Sequence, residues 1–193
     1  MKPLVDGGAW AIALYYATLC VWGISELRIG IRNRGGRGEN LDRGSRVWVV
    51  LLVAAGLTAA GALAKLPAGR ISGWTPIVVG VALALAGIAL RQWSVVTLGS
   101  FFTTSVEVQQ DHRIIDSGPY AWLRHPSYTG ALLTVVGASL ALGSWIGCLV
   151  ATLLGLTGLV QRILVEERAL ASRLGPAWMA YAGQRKRLIP LVW

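Results

Sequence analysis

Between Pro126 and Gln161 the chain runs for 36 residues without an Asp, Glu, Lys or Arg. As a single α-helix that run would be about 54 Å long at 1.5 Å per residue, whereas the hydrocarbon core of a bilayer is about 30 Å thick. It must therefore fold back on itself, and Gly143-Ser144 near its middle is the natural turn. Three further apolar blocks precede it, from Ala9 to Ser25, Val47 to Ala64 and Trp74 to Leu90. Composition points the same way: 54% of residues are hydrophobic, 14% are charged and the mean hydropathy is +0.57, while ordinary soluble domains carry about 25% charged residues. The expected fold is an all-α integral membrane protein forming one membrane domain over residues 1–193. Five transmembrane helices are expected at about 9–25, 47–64, 74–90, 127–142 and 145–161.

The basic residues give this count a direction. With the N-terminus outside, the cytoplasmic segments Glu26 to Arg46, Arg91 to Arg124 and Arg162 to Trp193 hold 6, 3 and 6 Lys or Arg, which is 15 of the 18 in the chain. Only Lys2, Lys65 and Arg70 are left outside. This is the positive-inside asymmetry. The net charge of +9 then reflects topology and attraction to anionic membrane lipids, not nucleic acid, for which the chain shows no recognition helix, zinc spacing or aromatic-basic platform. A signal peptide competes for the first apolar block, but no small-residue cleavage site follows it and Glu26-Leu27-Arg28 continues the helical pattern, so it reads as a retained span. Cys20 and Cys148 both fall within spans, as small buried hydrophobes, and imply neither a disulfide framework nor a metal site.

Two cytoplasmic stretches differ in character. RNRGGRGENLDRGS, from Arg32 to Ser45, has almost nothing apolar and reads as a flexible connection. Its glycines do not form a phosphate loop, since no strand precedes them and the Lys-Ser/Thr element is missing. From Phe101 to Tyr120 the chain is richer in β-branched and aromatic residues, which predicts a partly extended loop or hairpin. The turn Asp116-Ser117-Gly118-Pro119 follows and delivers RHPSYTG, residues 124–130, to the membrane surface. On the far side of the uncharged run, LVQRILVEERALASRLG leaves the bilayer as an amphipathic C-terminal helix. Arg162 and Glu166 are four apart on it and share a face. The hairpin should bring His125 close to Glu166.

Each of these residues also has a plainer reading. Arg124 fits a snorkelling interfacial anchor, Pro126 a first-turn helix residue, Tyr120, Trp122 and Tyr128 an aromatic belt, and Arg162 with Glu166 a helix-surface pair. Together at one membrane level they make a polar cluster at the mouth of a helix bundle, which points to a functional site. A small transporter or lipid-binding scaffold would explain the spans and the basic loops equally well, but it has no use for the combination of His125, Tyr128 and Glu166.

HRIIDSGPYAWLRHPSYTG, the apolar hairpin, RILVEERALASRLG and the tail RLIP together resemble the isoprenylcysteine carboxyl methyltransferase family of integral membrane enzymes. The resemblance covers residues 98–193 and marks them as the catalytic, cofactor-binding half. It implies S-adenosylmethionine as cofactor, held by His112, Ile114, Ile115, Tyr120, His125, Pro126, Ser127, Tyr128 and Glu166, with Arg124 and Glu167 beside them. It also implies Arg162 at the substrate and Arg162, Glu166 and His125 as catalytic residues, with no metal. The implied reaction is methyl transfer to a lipophilic or lipidated acceptor at the cytoplasmic face, with O-methylation of a prenylcysteine-like carboxylate as the first reading. Phospholipid or other small-molecule N- or S-methylation is the alternative. A carboxylate, with a reference pKa of about 3.3–3.7, is already ionised at neutral pH and needs no general base, whereas an amine must first lose a proton.

Overall fold

A computed structural model describes residues 8–32, 39–40, 44–103, 107–108, 114–189 and 192–193. Six α-helices are present among them: α1 Gly8–Arg32, α2 Ser45–Leu63, α3 Thr75–Leu98, α4 Pro126–Leu140, α5 Trp145–Leu174 and α6 Pro176–Gln184. Short 3-10 turns follow α3 and precede α4. The all-α membrane architecture holds. Four helices, α1, α2, α3 and α5, are long and apolar enough to cross a bilayer. α4 has 15 residues and reaches about 22 Å at 1.5 Å per residue, the shortest of the five expected spans. Its ends are fixed by Pro126 in the first turn and by the turn at Ala141 to Gly143, where Gly143 takes φ 76°. Ser144 then caps α5, its Oγ accepting from the Gly147 N–H at 3.1 Å.

Two helix pairs approach backbone to backbone. A Cβ added to Gly80 would lie 2.5 Å from Ala141 N, one on Gly87 2.5 Å from Gly130 O, and one on Gly137 2.3 Å from Ala84 N. Glycines spaced two turns apart on α3 and on α4 thus let the two helices touch. This is the small-residue packing that membrane helices use where the lipid supplies no hydrophobic drive. On the other side α2 and α5 meet more loosely through Gly56 against Ala151 and Gly147 against Ala60, each about one methyl group apart. α1 lies against α3 along one stripe, Ala11, Tyr15, Thr18, Ser25 and Ile29, while Trp10, Ile12, Leu14, Val21 and Leu27 face outward. At the end where Gly143 turns, Ile71 N–H donates to Gly143 O at 2.8 Å and Trp145 N–H to Gly69 O at 2.9 Å, tying the α2–α3 loop to the α4–α5 turn.

Of the extended segment expected between α3 and α4, residues 104–106 and 109–113 lie outside the described residues, and Glu107–Val108 forms a strand. That strand, β2, has no partner within its own segment among the described residues. It pairs antiparallel with β1, Glu39–Asn40 of the Gly/Arg-rich first loop, in the register Glu39↔Val108 and Asn40↔Glu107. The apolar-periodicity argument sees each loop separately, whereas strand pairing joins segments 68 positions apart.

Candidate active site

The site is assembled where α4 begins and α5 leaves the bundle. Gly118, at φ 56°, turns the chain so that Pro119 and Tyr120 are buried. Tyr181 of α6 pins this turn, its hydroxyl donating to Tyr120 O at 3.0 Å. Burial pushes the Tyr181 hydroxyl up to about 12 and raises Tyr120 well above the ordinary tyrosine value, so both remain protonated donors. The heptad is then fixed by the C-terminal segment: Arg124 N–H donates to Lys186 O at 2.8 Å and His125 N–H to Arg187 O at 3.0 Å, and Thr129 Oγ1 donates to Leu188 O at 2.8 Å. Leu188 is fully buried beneath this strap. His125 precedes α4 in a non-helical conformation and Pro126 fills its first position, where a missing N–H costs nothing.

The two adjacent glutamates of α5 have different surroundings. Glu167 is the centre of a charge cluster: Oε1 accepts from Arg124 Nη1 at 3.0 Å and lies 3.3 Å from His125 Nε2, and Oε2 accepts from Arg187 Nε at 2.9 Å. Glu166 accepts at Oε2 from the Tyr128 hydroxyl at 2.6 Å, and its Oε1 has no hydrogen-bond partner among the described residues. The hairpin brings the heptad to the glutamate pair, with His125 paired to Glu167 and the stacked Tyr128 to Glu166. The reason is helix phase, since neighbours on an α-helix are rotated by about 100° and the sequence does not say which of the two faces α4.

Arg162, only 6% exposed, donates from Nε to the Tyr128 hydroxyl at 2.8 Å and from Nη1 to Ser45 Oγ of α2 at 3.0 Å. The Tyr128 ring stacks on His125 at 5.5 Å with an 18° interplanar angle. Ser127 is buried and accepts from Arg91 Nη1 at 2.9 Å. Arg91 is in turn held by Glu26 of α1, Nη2 to Oε2 at 2.8 Å. Ile114 packs against the α5–α6 cluster of Ala169, Leu170, Trp178 and Tyr181, and Ile115 is half-buried beside it in sequence. His112 lies outside the described residues. Sequence reasoning gave no role to Arg187, Arg91, Glu26 or Ser45. Basic residues in a tail and polar residues at helix ends carry no periodic signal that would single them out.

Of these groups, Tyr128, Arg162, Arg91 and Glu26 open onto a cavity of about 480 Å3. Its polar end is formed by Glu26, Arg46, Arg91, Tyr128 and Arg162, and its remaining wall is apolar, with Trp22, Val49, Val53 and Leu57 from α1 and α2 facing Val135 and Leu159.

Comparison with known proteins agrees with this geometry. Residues 79–172 match the model of the isoprenylcysteine carboxyl methyltransferase (ICMT) family. A protein-S-isoprenylcysteine O-methyltransferase of Tribolium castaneum is 31% identical over 116 residues, 59% of this chain and 41% of that protein. The protein-S-isoprenylcysteine O-methyltransferase of Schizosaccharomyces pombe is 32% identical over 108 residues, 55% of this chain and 46% of that protein. The solved structure of a eukaryotic intramembrane Ras methyltransferase, ICMT, superposes with a TM-score of 0.58 at 27% identity, covering 77% of this chain and 51% of the other. The chain thus spans about half the length of these proteins or less. Through the segment that carries the heptad, the hairpin and the paired glutamates, the chain is similar to the isoprenylcysteine carboxyl methyltransferase family.

Proposed function

We propose that this chain is an S-adenosylmethionine-dependent methyltransferase acting on a lipophilic acceptor at the cytoplasmic face of a membrane, with a prenylcysteine-like carboxylate as the acceptor group. One observation carries the reading: a single hydroxyl, that of Tyr128, joins Glu166 to Arg162 at the polar end of an otherwise apolar cavity. An anion-binding cation and a cation-binding carboxylate are thereby set side by side.

The residues present fit the cofactor. It carries a sulfonium and an α-ammonium, which require an acid, and a carboxylate and hydroxyls, which require donors. Glu166 offers an oxygen with no hydrogen-bond partner among the described residues, and the resemblance adds Tyr120, His125, Pro126, Ser127 and Tyr128 from the α4 side, with Ile114, Ile115 and His112 preceding them in sequence. When bound, S-adenosylmethionine supplies an electrophilic methyl group. The protein's own part is positioning, which dominates an in-line displacement. Arg162 presents a planar fork to the acceptor carboxylate, the apolar wall from α1 and α2 takes the lipid tail, and Glu167 holds the heptad in place through Arg124, His125 and Arg187. The cytoplasmic orientation is supported by the placement of 15 of 18 basic residues on one side.

The test is a transfer assay with labelled methyl donor and purified protein against prenylcysteine, phospholipid and thiol acceptors. Label in the prenylcysteine as a base-labile ester is the expected result. Label confined to phospholipid amines, at a rate that rises with pH, would replace the carboxylate by an amine acceptor.

A further inference from the structure

A second cavity, of about 420 Å3, lies between α5 and α6, outside the chamber described above. Three guanidinium groups line it, Arg124, Arg168 and Arg187, against one carboxylate, Glu167. Arg124 and Arg187 are both bonded to that carboxylate. Arg168 is exposed and among the described residues makes neither an ion pair nor a hydrogen bond.

Its position on α5 says what it faces. The outward stripe of this helix runs Trp145, Leu149, Leu153, Leu164, with exposed Thr157 and Gln161 between them and Arg168 next in line, at the spacing of three or four that keeps residues on one helix face. From Trp145 to Arg168 the rise is about 35 Å at 1.5 Å per residue, against a hydrocarbon core of about 30 Å. With Trp145 at one interface, where indoles collect, Arg168 stands in the headgroup layer of the opposite leaflet. The stripe changes from leucine to arginine where the bilayer changes from acyl chain to phosphate. The α6 wall of the groove adds Trp178 and Met179, the latter 69% exposed, an apolar surface beside the cationic one.

We propose that this groove binds the headgroup phosphate of an anionic phospholipid, with Arg168 as its first ligand. A guanidinium fork matches phosphate oxygens in pairs, and basic pockets between helices at the cytoplasmic side of a membrane take such headgroups. The occupant lies against the arginines that also hold Glu167, and Glu167 holds His125 Nε2. Lipid binding is therefore felt at the heptad, although the site itself does not depend on the methyl-transfer reading.

Native mass spectrometry of the purified full chain, with thermal melting in parallel, tests the proposal using phosphatidylglycerol and phosphatidylcholine of the same acyl composition. Phosphatidylglycerol is expected to bind about fivefold more tightly, the effect of roughly one interfacial arginine, and to raise the melting temperature. Arg168→Gln should erase that preference while melting like the unaltered protein in phosphatidylcholine. Arg28→Gln, the same charge change at an exposed position on α1, should keep it. Equal binding of the two lipids, or a preference that survives Arg168→Gln, overturns the site. Stabilisation by inorganic phosphate equal to that by phosphatidylglycerol overturns the lipid as its occupant. A loss of methyl transfer with the lipid preference intact bears on the proposed reaction alone.

Discussion

Tyr128 and Glu166 lie on different helices, 38 positions apart, and share a hydrogen bond of 2.6 Å. Because the same hydroxyl accepts from Arg162 Nε at 2.8 Å, its own proton is directed to Glu166. The tyrosine therefore orders a cation and an anion without neutralising either by direct contact through its own oxygen. Tyr128→Phe keeps the ring stacked on His125 and removes only this junction. Hydrogen bonds to charged groups contribute about 1.5–3 kcal/mol, so S-adenosylmethionine binding should weaken by about tenfold or more. Calorimetric titration in detergent checks it; an unchanged Kd would show that Glu166 needs no orientation.

The paired glutamates should separate by phenotype. Glu167→Gln leaves Arg124, Arg187 and the His125 ring around a neutral group, and breaking a largely buried charge cluster costs on the order of 3 kcal/mol. A clear fall in melting temperature is expected. Glu166→Gln disturbs one hydrogen bond and should melt close to the unaltered protein while losing the cofactor. Melting curves and cofactor titrations on the two variants decide this, and identical behaviour would collapse the distinction.

Arg162 touches Ser45 and Tyr128 as well as the cavity. Arg162→Lys should keep the charge and the fold but lose the paired geometry, raising the acceptor KM by about tenfold, equivalent to about 1.4 kcal/mol. Cofactor affinity should change by much less. Steady-state kinetics with acceptor and cofactor varied in turn provides the measurement, and a loss confined to the cofactor would assign Arg162 to Glu166 instead.

The contact between α3 and α4 makes a packing prediction with an internal control. A methyl group on Gly87 would sit 2.5 Å from Gly130 O, so Gly87→Ala must part the helices, at about 1–3 kcal/mol. Gly61 on α2 has nothing within 4 Å of an added Cβ, and Gly61→Ala should be neutral or stabilising by a few tenths to about 1 kcal/mol. Thermal melts of the two variants should move in opposite directions or differ by several degrees.

Orientation is open to labelling. In a chain carrying Cys20→Ala and Cys148→Ala, Ser72→Cys in the exposed α2–α3 loop should react with an impermeant thiol reagent from outside the cell. Ala177→Cys, exposed on α6, should react only after the membrane is opened. The reverse pattern would put the heptad on the exterior.

Much of the site was legible in the sequence because RHPSYTG and the glutamate pair are local signals separated by a hairpin that the bilayer forces to close. What stayed hidden depends on quantities that local pattern does not contain. The phase of α5 decides that His125 meets Glu167, and a rotation of one residue would have reversed the roles. The strap of residues 186–188 bonds the heptad mainly through its carbonyls, which every sequence possesses, so no side-chain pattern announces it. α4 is shorter than the other expected spans because the turn at Gly143 and the proline at 126 set its length, and hydropathy does not register either limit. The pairing of Glu39–Asn40 with Glu107–Val108 crosses two helices and is likewise invisible to a window of neighbouring residues.

The chamber beside Tyr128 is walled by helices of different standing. α4 and most of α5, with Val135, Leu159 and Arg162, fall inside the stretch that matches the methyltransferase family model, while α1 and α2, with Trp22, Val49 and Val53, lie before it. In the reaction proposed above, the donor machinery and the surface that meets the acceptor's tail would be carried on separable pieces of chain. Chimeras that exchange residues 8–63 between relatives while keeping the RHPSYTG half should inherit their choice of acceptor from the first piece and their cofactor from the second.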